Sequence, residues 1–246
     1  MKKRLFALAA GFFLIAGCAQ TGQFAAAGST SPGRAPAPAP AEKPGKDEFV
    51  AALEKTGKTA YKFAVSAAAP EKQRIQATGS FDPRSKKLSN TIKVTGGKDP
   101  QSRQRIVIAG DLYEKKPGER TWVHLDLKRV KKDSYLQVNM ADPNGLGAFT
   151  KAIESAQQTG PRGWSGAFDP SSADEFLPIG APSIWILGGT ATFTALTDAQ
   201  GWITKITVQV RNKETLNMTT TFSAHGKPVA ITKPKRVGEA MDIYYD

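Results

Sequence analysis

Few residues of this chain have side chains suited to covalent or metal chemistry. Cys18 is the only cysteine among 246 residues, and the two histidines are His124 and His225. One cysteine excludes an intrachain disulfide and a CxxC redox or zinc motif, and two histidines leave little material for a metal site. The sequence also lacks the GxSxG, Walker A, GxGxxG, HExxH and calcium-loop patterns. These observations argue against an enzyme, and they predict no metal and no cofactor.

The two histidines are interpreted as structural residues. On a strand, His124 and Asp126 share one face, and the apolar residues beside them occupy the other face. Both polar side chains are therefore expected to face solvent, and His225, which precedes Gly226, is expected in a turn. An extracytoplasmic enzyme stays open as an alternative, and it requires His124 or a pair of carboxylates to converge in a cleft.

Residues 1–17 have the layout of a signal peptide. Lys2–Arg4 are basic, and the apolar stretch Leu5–Ile15 is too short to span a membrane. The small residues before Cys18 resemble a bacterial lipobox. That resemblance implies cleavage before Cys18, diacylation of its thiol, and anchoring to the bacterial cell membrane on the extracytoplasmic face. The alternative is an ordinary secreted protein in which this cysteine is incidental.

Residues 18–46 are predicted to be the lipidated cysteine and a tether. Five prolines lie here among Ala, Gly, Ser and Thr, a composition that cannot bury a core. In a polyproline conformation of about 3.1 Å per residue, such a segment extends to about 80 Å. The sequence thus predicts a folded body, residues 47–246, on a flexible membrane anchor.

The chain after cleavage is strongly basic. Removing three of the 34 basic residues and none of the 22 acidic ones leaves 31 against 22, a net charge of +9. The basic runs are Lys86-Lys87, Lys115-Lys116, Lys128–Lys132 and Lys233–Arg236. Export makes nucleic acid an unexpected partner, whereas each Lys or Arg beside anionic head groups adds about 1 kcal/mol of binding. These runs are expected to face an anionic lipid surface or ligand, or to form a solvated basic face.

The folded part begins with a helix and continues as strands. Phe49, Val50 and Leu53 predict a helix over Asp47–Lys58 that ends near Gly57. Alternation then predicts three strands, which contain Tyr61, Phe63 and Val65, then Ile75, Ala77 and Phe81, then Leu88, Ile92 and Val94.

The middle of the chain combines further strands with a second helix. Strands are expected at Gln104–Lys115, with Ile106, Ile108 and Leu112 on one face, at Arg120–Leu127, and at Ser134–Val138. Asp142-Pro143 is expected to open a helix. Its apolar face contains Leu146, Phe149, Ile153 and Ala156, and Gly160 ends it.

An aromatic segment precedes the last strands. Gly163–Gly189 is expected to be irregular, with a short helix at Ser172–Leu177, and to form a lid or cavity rim; its aromatic residues are Trp164, Phe168, Phe176 and Trp185. Alternation predicts final strands around Phe193, Val208, Met218 and Val229–Ile231. About ten strands and two or three helices predict an α+β fold. The expected form is a large, curved antiparallel sheet with the helices packed against one face.

The order of these elements resembles that of LppX/LprG-type lipoproteins of the LolA-like superfamily. The resemblance rests on Lys-Thr-Gly-Lys before Tyr61, on Gly110-Asp111-Leu112-Tyr113, on Trp122-Val123, and on Phe222–Ile231 followed by Lys233-Pro234. It implies a curved antiparallel half-barrel with two or three helices covering its concave face and an apolar cavity between them. It also implies that the protein binds acyl chains and carries lipids or lipoproteins outside the cytoplasmic membrane. It implies no catalysis and no cofactor.

Two functions are consistent with the sequence. The first is a monomeric carrier that binds a lipid or glycolipid in an apolar cavity, with Lys or Arg at its mouth. The expected lining is Phe63, Val65, Ile75, Ile92, Val94, Ile106, Ile108, Phe149, Ile153, Phe193, Ile206 and Val208. The second is a tethered envelope sensor or interaction protein that uses the same fold without a lipid ligand and docks an envelope protein. A cavity that accepts acyl chains distinguishes the first function from the second.

Overall fold

The computed structural model describes the folded part of the chain. The described residues are 45–69, 71–97, 100–132, 134, 136–171, 190–211, 213 and 215–245. All of them belong to one compact unit, Glu42–Asp246. The predictions for the signal peptide, for Cys18, for the tether and for a helix at Ser172–Leu177 lie outside these residues. Within them, no helix combines the length and the apolar character needed to cross a membrane.

The unit contains two α-helices and twelve strands among its described residues. The helices are α1 (Lys46–Gly57) and α2 (Leu146–Ala152), and a 3₁₀ turn lies at Asp242–Tyr244. The first six strands are β1 (Tyr61–Ala69), β2 (Gln73–Asp82), β3 (Lys87–Thr95), β4 (Gln101–Ile108), β5 (Asp111–Lys115) and β6 (Trp122–Asp126). The others are β7 (Ile153–Gly160), β8 (Gly163–Phe168), β9 (Thr190–Thr197), β10 (Ile203–Arg211), β11 (Thr215–Ser223) and β12 (Val237–Glu239).

All twelve strands form one sheet. Their order is β12-β6-β5-β4-β3-β2-β1-β11-β10-β9-β8-β7. Every pairing in the described part is antiparallel except that of β12 with β6. Successive strands joined by short links pair with their neighbours in this way. The predicted α+β fold with a large, open, curved and mostly antiparallel sheet is therefore confirmed.

Helix α1 begins one residue before its predicted start and ends one residue before its predicted end. The backbone N–H of Gly45 donates to Glu48 Oε2 at 2.9 Å, which places a negative charge at the helix N-terminus. Phe49 and Leu53 are completely buried, as their spacing predicts, and Thr56 is buried on the same side. The helix thus turns its apolar stripe toward the sheet.

The prediction of one strand over Gln104–Lys115 is wrong. The chain turns at Ala109 and Gly110, both at positive φ, and this two-residue turn separates β4 from β5. The predicted inward face of β4 is also wrong, because Val107 is buried in the core and Ile106 and Ile108 lie on the other face. Three consecutive apolar residues fit a strand in either phase, so alternation could not choose between the faces.

The second helix is much shorter than predicted. The prediction that Asp142-Pro143 opens it is wrong, because the helix begins at Leu146 with Gly145 as its N-cap. The carboxylate of Asp142 instead accepts hydrogen bonds from the backbone N–H groups of Gly147 (2.9 Å) and Ala148 (2.8 Å) in the first turn. The helix then ends at Ala152, and Ile153–Gly160 forms β7. A register shift between Ile153 and Ser155 turns both Ile153 and Ala156 toward the core. Because of this bulge, two core residues of a strand lie three positions apart, as they would on one face of a helix.

Three further predictions need correction. The segment Gly163–Phe168 is the regular strand β8, although it was expected to be irregular. The described residues of Ser134–Val138 form turns instead of a strand, and Gln137 Nε2 there donates to the carbonyl oxygens of Leu127 and Val130. Residues 229–231 are not a strand either. The last strand is β12, whose three residues are too few to give a readable alternation.

A candidate ligand-binding face

One face of the sheet carries a single apolar surface, which we call the core face. The core cluster on it includes ten of the twelve predicted lining residues: Phe63, Val65, Ile75, Ile92, Val94, Phe149, Ile153, Phe193, Ile206 and Val208. Phe149 belongs to α2, and the other nine belong to strands. The remaining two, Ile106 and Ile108, lie on the opposite face.

Aromatic rings fill the part of the core face under the helices. This part, the aromatic region, contains Phe49, Phe149, Trp164, Phe168 and Phe193. The ring of Phe49 stacks on that of Phe193 with centroids 4.8 Å apart and lies 5.4 Å from Trp164. Phe149 meets Phe168 at 5.2 Å and Phe193 at 5.6 Å, both edge to face. These rings interlock the helices with β8 and β9.

The glycine Gly166 makes room for one of these rings. It is the direct partner of Phe193 across β8 and β9. A Cβ atom at Gly166 would lie 1.9 Å from the carbonyl oxygen of Ser155 and 2.7 Å from the Phe193 ring. The ring therefore fits over the strand only because residue 166 has no side chain.

Two buried polar contacts fix the helical layer on the sheet. Thr56 Oγ1 accepts a hydrogen bond from the backbone N–H of Ile203 at 3.0 Å and donates to the carbonyl of Ala52. Asn144, just before α2, donates from Nδ2 to Tyr61 Oη at 3.0 Å. Burial raises the pKa of Tyr61, so the phenol stays neutral. Both contacts tie the start of β1 and β10 to the helices.

A second part of the core face has small and aliphatic side chains. This part, the aliphatic region, contains Val65, Ala67, Ile75, Ala77, Ile92 and Val94 on β1, β2 and β3. Its six side chains keep 2–7% of their surface accessible, and the five of the aromatic region keep 0–7%. Helix α1 packs against α2, β7 and β10. The two regions are thus both buried and differ in the kind of side chain that fills them.

Polar side chains interrupt the apolar surface beside the aliphatic region. Asn90 on β3, Arg105 on β4 and Glu114 on β5 lie directly opposite one another in register, on the same face as Ile92 and Leu88. Arg105 Nε donates to Glu114 Oε2 at 2.6 Å, and both side chains are almost completely buried. We call these three residues the polar cluster.

The polar cluster was not among the residues predicted from the sequence. The available signal was the Ala109-Gly110 turn, since a two-residue hairpin turn sets Arg105 opposite Glu114. The prediction of one strand over Gln104–Lys115 left no place for that turn. It also placed Ile106 and Ile108 on the inward face, so Arg105, which alternates with them, was assigned to the solvent face.

On the opposite face, His124 links two strands and the C-terminal segment. Its Nε2 lies 2.9 Å from Asp111 Oδ1, and its Nδ1 lies 2.7 Å from Glu239 Oε2. Burial lowers the pKa of His124, but the hydrogen bonds and charges of Asp111 and Glu239 outweigh this effect and raise it. The imidazole also stacks on Tyr113 at 5.2 Å. His124 is therefore a bridge between β5, β6 and β12, and it does not pair with Asp126.

His225 has a different environment. Its ring stacks on Trp202 with centroids 5.5 Å apart, and Lys55 lies 4.4 Å from the centre of the same indole. Burial lowers the pKa of His225. Within the described residues, no group of three His, Cys, Asp or Glu side chains is arranged to hold a metal ion.

These features define an α+β protein whose open sheet has one extended apolar face. No protein-family model and no curated protein matches the chain. Similar solved structures include LprF from Mycobacterium bovis, at 16% identity and a TM-score of 0.49, covering 76% of this chain and 97% of that one. An uncharacterized conserved protein from Thermus thermophilus is 9% identical with a TM-score of 0.40, covering 79% of this chain and 98% of its own. The LolA superfamily protein NE2245 from Nitrosomonas europaea is 12% identical with a TM-score of 0.27, covering 74% and 96%.

Proposed function

We propose that this protein is a lipid-anchored extracytoplasmic lipoprotein that binds lipid or acyl chains on its core face and carries them across the cell envelope. It acts as a binding protein and makes or breaks no bond in its ligand. Cys18 carries the lipid anchor, and residues 18–46 are the tether. The resemblance of the sequence to LppX/LprG-type lipoproteins supports the same function.

The observation that supports this proposal most is the extent of the apolar face. Twelve strands spaced about 4.8 Å apart form a sheet about 55 Å wide. The apolar residues continue from β9 to β3, beyond the strands β7 and β10 that α1 contacts. An apolar face of this extent in a curved sheet is suited to hold an apolar ligand.

Acyl-chain burial supplies enough free energy for such binding. Each CH₂ group removed from water contributes about 0.8 kcal/mol, so ten of them contribute about 8 kcal/mol before the cost of association. The aliphatic region offers Val65, Ile92 and Val94 as contacts for such a chain. Branched aliphatic side chains bind a hydrocarbon through van der Waals contacts, which do not depend on functional groups of the ligand.

A basic turn supports placement next to an anionic surface. Lys128, Arg129, Lys131 and Lys132 surround the buried Val130 in the turn after β6. Arg129 also lies 3.9 Å from the centre of the Tyr245 ring. Such a run attracts anionic head groups by about 1 kcal/mol for each cation near the surface.

Lipid content of the purified protein tests the carrier function. Residues 19–246 retain every core residue, since these lie between Phe49 and Phe222. This form is expressed in a lipid-containing bacterial host, purified without detergent, and measured by native mass spectrometry with solvent extraction. A stoichiometric adduct that extracts as lipid supports the carrier. An unmodified mass that does not change on incubation with lipids contradicts it and favours a tethered interaction protein.

Metabolic labelling tests the anchor. The full chain is expressed with an alkyne-labelled palmitate, and the label is expected on the wild type and absent from Cys18→Ser. Ser29→Ala, which alters the tether and leaves the cysteine in place, is the matched control and is expected to keep the label. A label that persists in Cys18→Ser would contradict lipidation at this residue.

A further inference from the structure

The polar cluster contains a buried ion pair, Arg105 with Glu114, within a mostly apolar core. Arg105 and Glu114 keep only 9% and 12% of their side-chain surface accessible. Removing two charges from water opposes folding, and proteins with apolar residues of similar size at such positions are often as stable or more stable. Stability of the fold therefore does not account for this pair.

The polar cluster also holds an unused donor and an unused acceptor. Among the described residues, neither Arg105 Nη2 nor Asn90 Oδ1 has a hydrogen-bond partner, although both atoms are buried. The two residues are direct cross-strand neighbours, whose Cβ atoms lie about 4.5–5.5 Å apart in an antiparallel pair. A buried donor or acceptor left without a partner lowers the stability of the fold. A ligand group that serves both atoms would offset that loss.

The surroundings of the polar cluster are those of a binding surface. Gly79 is the next residue across the sheet from Asn90, and the ring of Phe63 lies over Gly79 in place of a side chain. Ile92 is two positions along β3 on the same face, within the aliphatic region. An apolar chain in the aliphatic region would thus end or pass within reach of the unused donor and acceptor.

The donor Arg105 Nη2 and the acceptor Asn90 Oδ1 together determine which chemical group of a ligand can bind to both. An alcohol accepts a hydrogen bond from Arg105 Nη2 and donates one to Asn90 Oδ1, so it satisfies both atoms. A carboxylate or phosphate monoanion also accepts a hydrogen bond from Arg105, but the Asn90 oxygen and the negative charge of Glu114 repel it. The guanidinium is already neutralised in part by Glu114. The arrangement therefore favours a neutral hydroxyl group.

We propose that Arg105 and Asn90 bind a hydroxyl group of the apolar ligand, with Glu114 as the residue that positions the guanidinium. This inference rests on the proposed function, because it assumes that an amphiphile occupies the core face. The hydroxyl belongs either to a head group, such as glycerol or a sugar, or to a hydroxylated acyl chain. Both sources present the same donor and acceptor to the polar cluster.

Matched lipids test this inference and separate the two sources. Residues 19–246 are titrated with 1-monopalmitoylglycerol against methyl palmitate, and with methyl 12-hydroxystearate against methyl stearate. The wild type is expected to bind the hydroxylated member of at least one pair about tenfold more tightly, which corresponds to one recovered hydrogen bond. Preference in the first pair identifies a head-group hydroxyl, and preference in the second identifies a chain hydroxyl.

Substitution of the acceptor provides the decisive variant. Asn90→Leu is expected to abolish the preference, so that the two members of each lipid pair bind equally. Asn217→Leu is the control, since Asn217 is exposed and pairs with Gln209 on the outer face. The double variant Arg105→Met with Glu114→Leu removes both charges together and is also expected to abolish the preference.

A stability readout separates binding from a structural role. Asn90→Leu is expected to raise the thermal midpoint of the lipid-free protein, because it removes an unsatisfied buried acceptor. If Asn90 were needed for the fold, the substitution would lower the thermal midpoint. Equal binding within both lipid pairs, or a preference that survives Asn90→Leu, would overturn the inference and leave the carrier function intact. A wild type that binds none of the four lipids would overturn the proposed function itself.

Discussion

The aromatic region and the aliphatic region occupy the same face of the same sheet, yet they differ in how they are filled. Under α1 and α2, aromatic rings pack with centroids 4.8–5.6 Å apart. In the aliphatic region, the side chains are alanine, valine and isoleucine, and the ion pair and unsatisfied atoms of the polar cluster lie beside them. We propose that the aromatic region stabilises the fold and that the aliphatic region holds the ligand.

A glycine makes room for a phenyl ring both in the aromatic region and beside the polar cluster. Phe193 lies over Gly166, and Phe63 lies over Gly79, where a Cβ atom would come within 2.5 Å of the Phe63 ring. The first ring packs against the helices, and the second lies beside Asn90, the cross-strand partner of Gly79.

The largest expected effect is on the aromatic region. Gly166→Ala is expected to destabilise the lipid-free protein by about 3 kcal/mol, because the new Cβ atom meets a backbone carbonyl that cannot move aside. Urea denaturation measures the change. Gly160→Ala in the same hairpin is the control and is expected to stay within about 0.5 kcal/mol, since nothing lies within 4 Å of its Cβ position. Equal effects of the two substitutions would show that the Phe193 ring is not packed as described.

A smaller effect is expected at the contact between α1 and the sheet. Thr56→Val keeps the shape of the side chain but leaves the buried N–H of Ile203 without its acceptor, and it is expected to cost about 1–2 kcal/mol. The measurement is the midpoint of chemical unfolding. Thr204→Val, which loses an exposed hydrogen bond to Leu196, is expected to cost less than about 0.5 kcal/mol. A cost at Thr56 no larger than that at Thr204 would mean that the helix is held by packing alone.

The smallest effects are expected from the histidines, which lie outside both regions. The folded-state pKa of His124 is raised above its ordinary 6.5, so its contribution to stability is complete below pH 6.5 and is lost as the pH rises through the raised value. The pKa of His225 is lowered, so its contribution is complete above pH 6.5 and is lost as the pH falls through the lowered value.

Unfolding curves at about pH 5.5 and about pH 8.5 measure this contrast. His124→Gln is expected to destabilise the protein more at the lower pH, and His225→Gln more at the higher pH. The same pH dependence in both variants would contradict the pairing of His124 with Asp111 and Glu239.

Alternation in the sequence predicted the strands that carry most of the core face. In β1, β2, β3, β9, β10 and β11, apolar residues occupy every second position over most of the strand, so both the strand and its inward face could be read directly. Helix α1 was equally clear, since Phe49 and Leu53 lie one turn apart. Eight of the ten predicted lining residues that belong to the core cluster lie on these strands.

The failures occurred where a local pattern fits two structures. The bulge in β7 brings Ile153 and Ala156 to one face and imitates a helix. The run Ile106–Ile108 satisfies a strand in both phases. Strand β12 pairs with β6 across more than a hundred residues, and such a contact leaves no local trace in the sequence. The polar cluster was missed because its residues come together only through the register of three strands.

The most direct test of the contrast between the regions is the same substitution in each. Ala195 on β9 lies opposite Trp164 and Ile206, whereas Ala67 on β1 lies opposite Ile75 and Met218. Ala195→Leu is expected to cost about 2–3 kcal/mol by overpacking and to leave the amount of bound lipid unchanged. Ala67→Leu is expected to cost less than about 1 kcal/mol and to reduce the lipid seen by native mass spectrometry. Equal costs at the two positions, with lipid content unaffected by Ala67→Leu, would contradict the account.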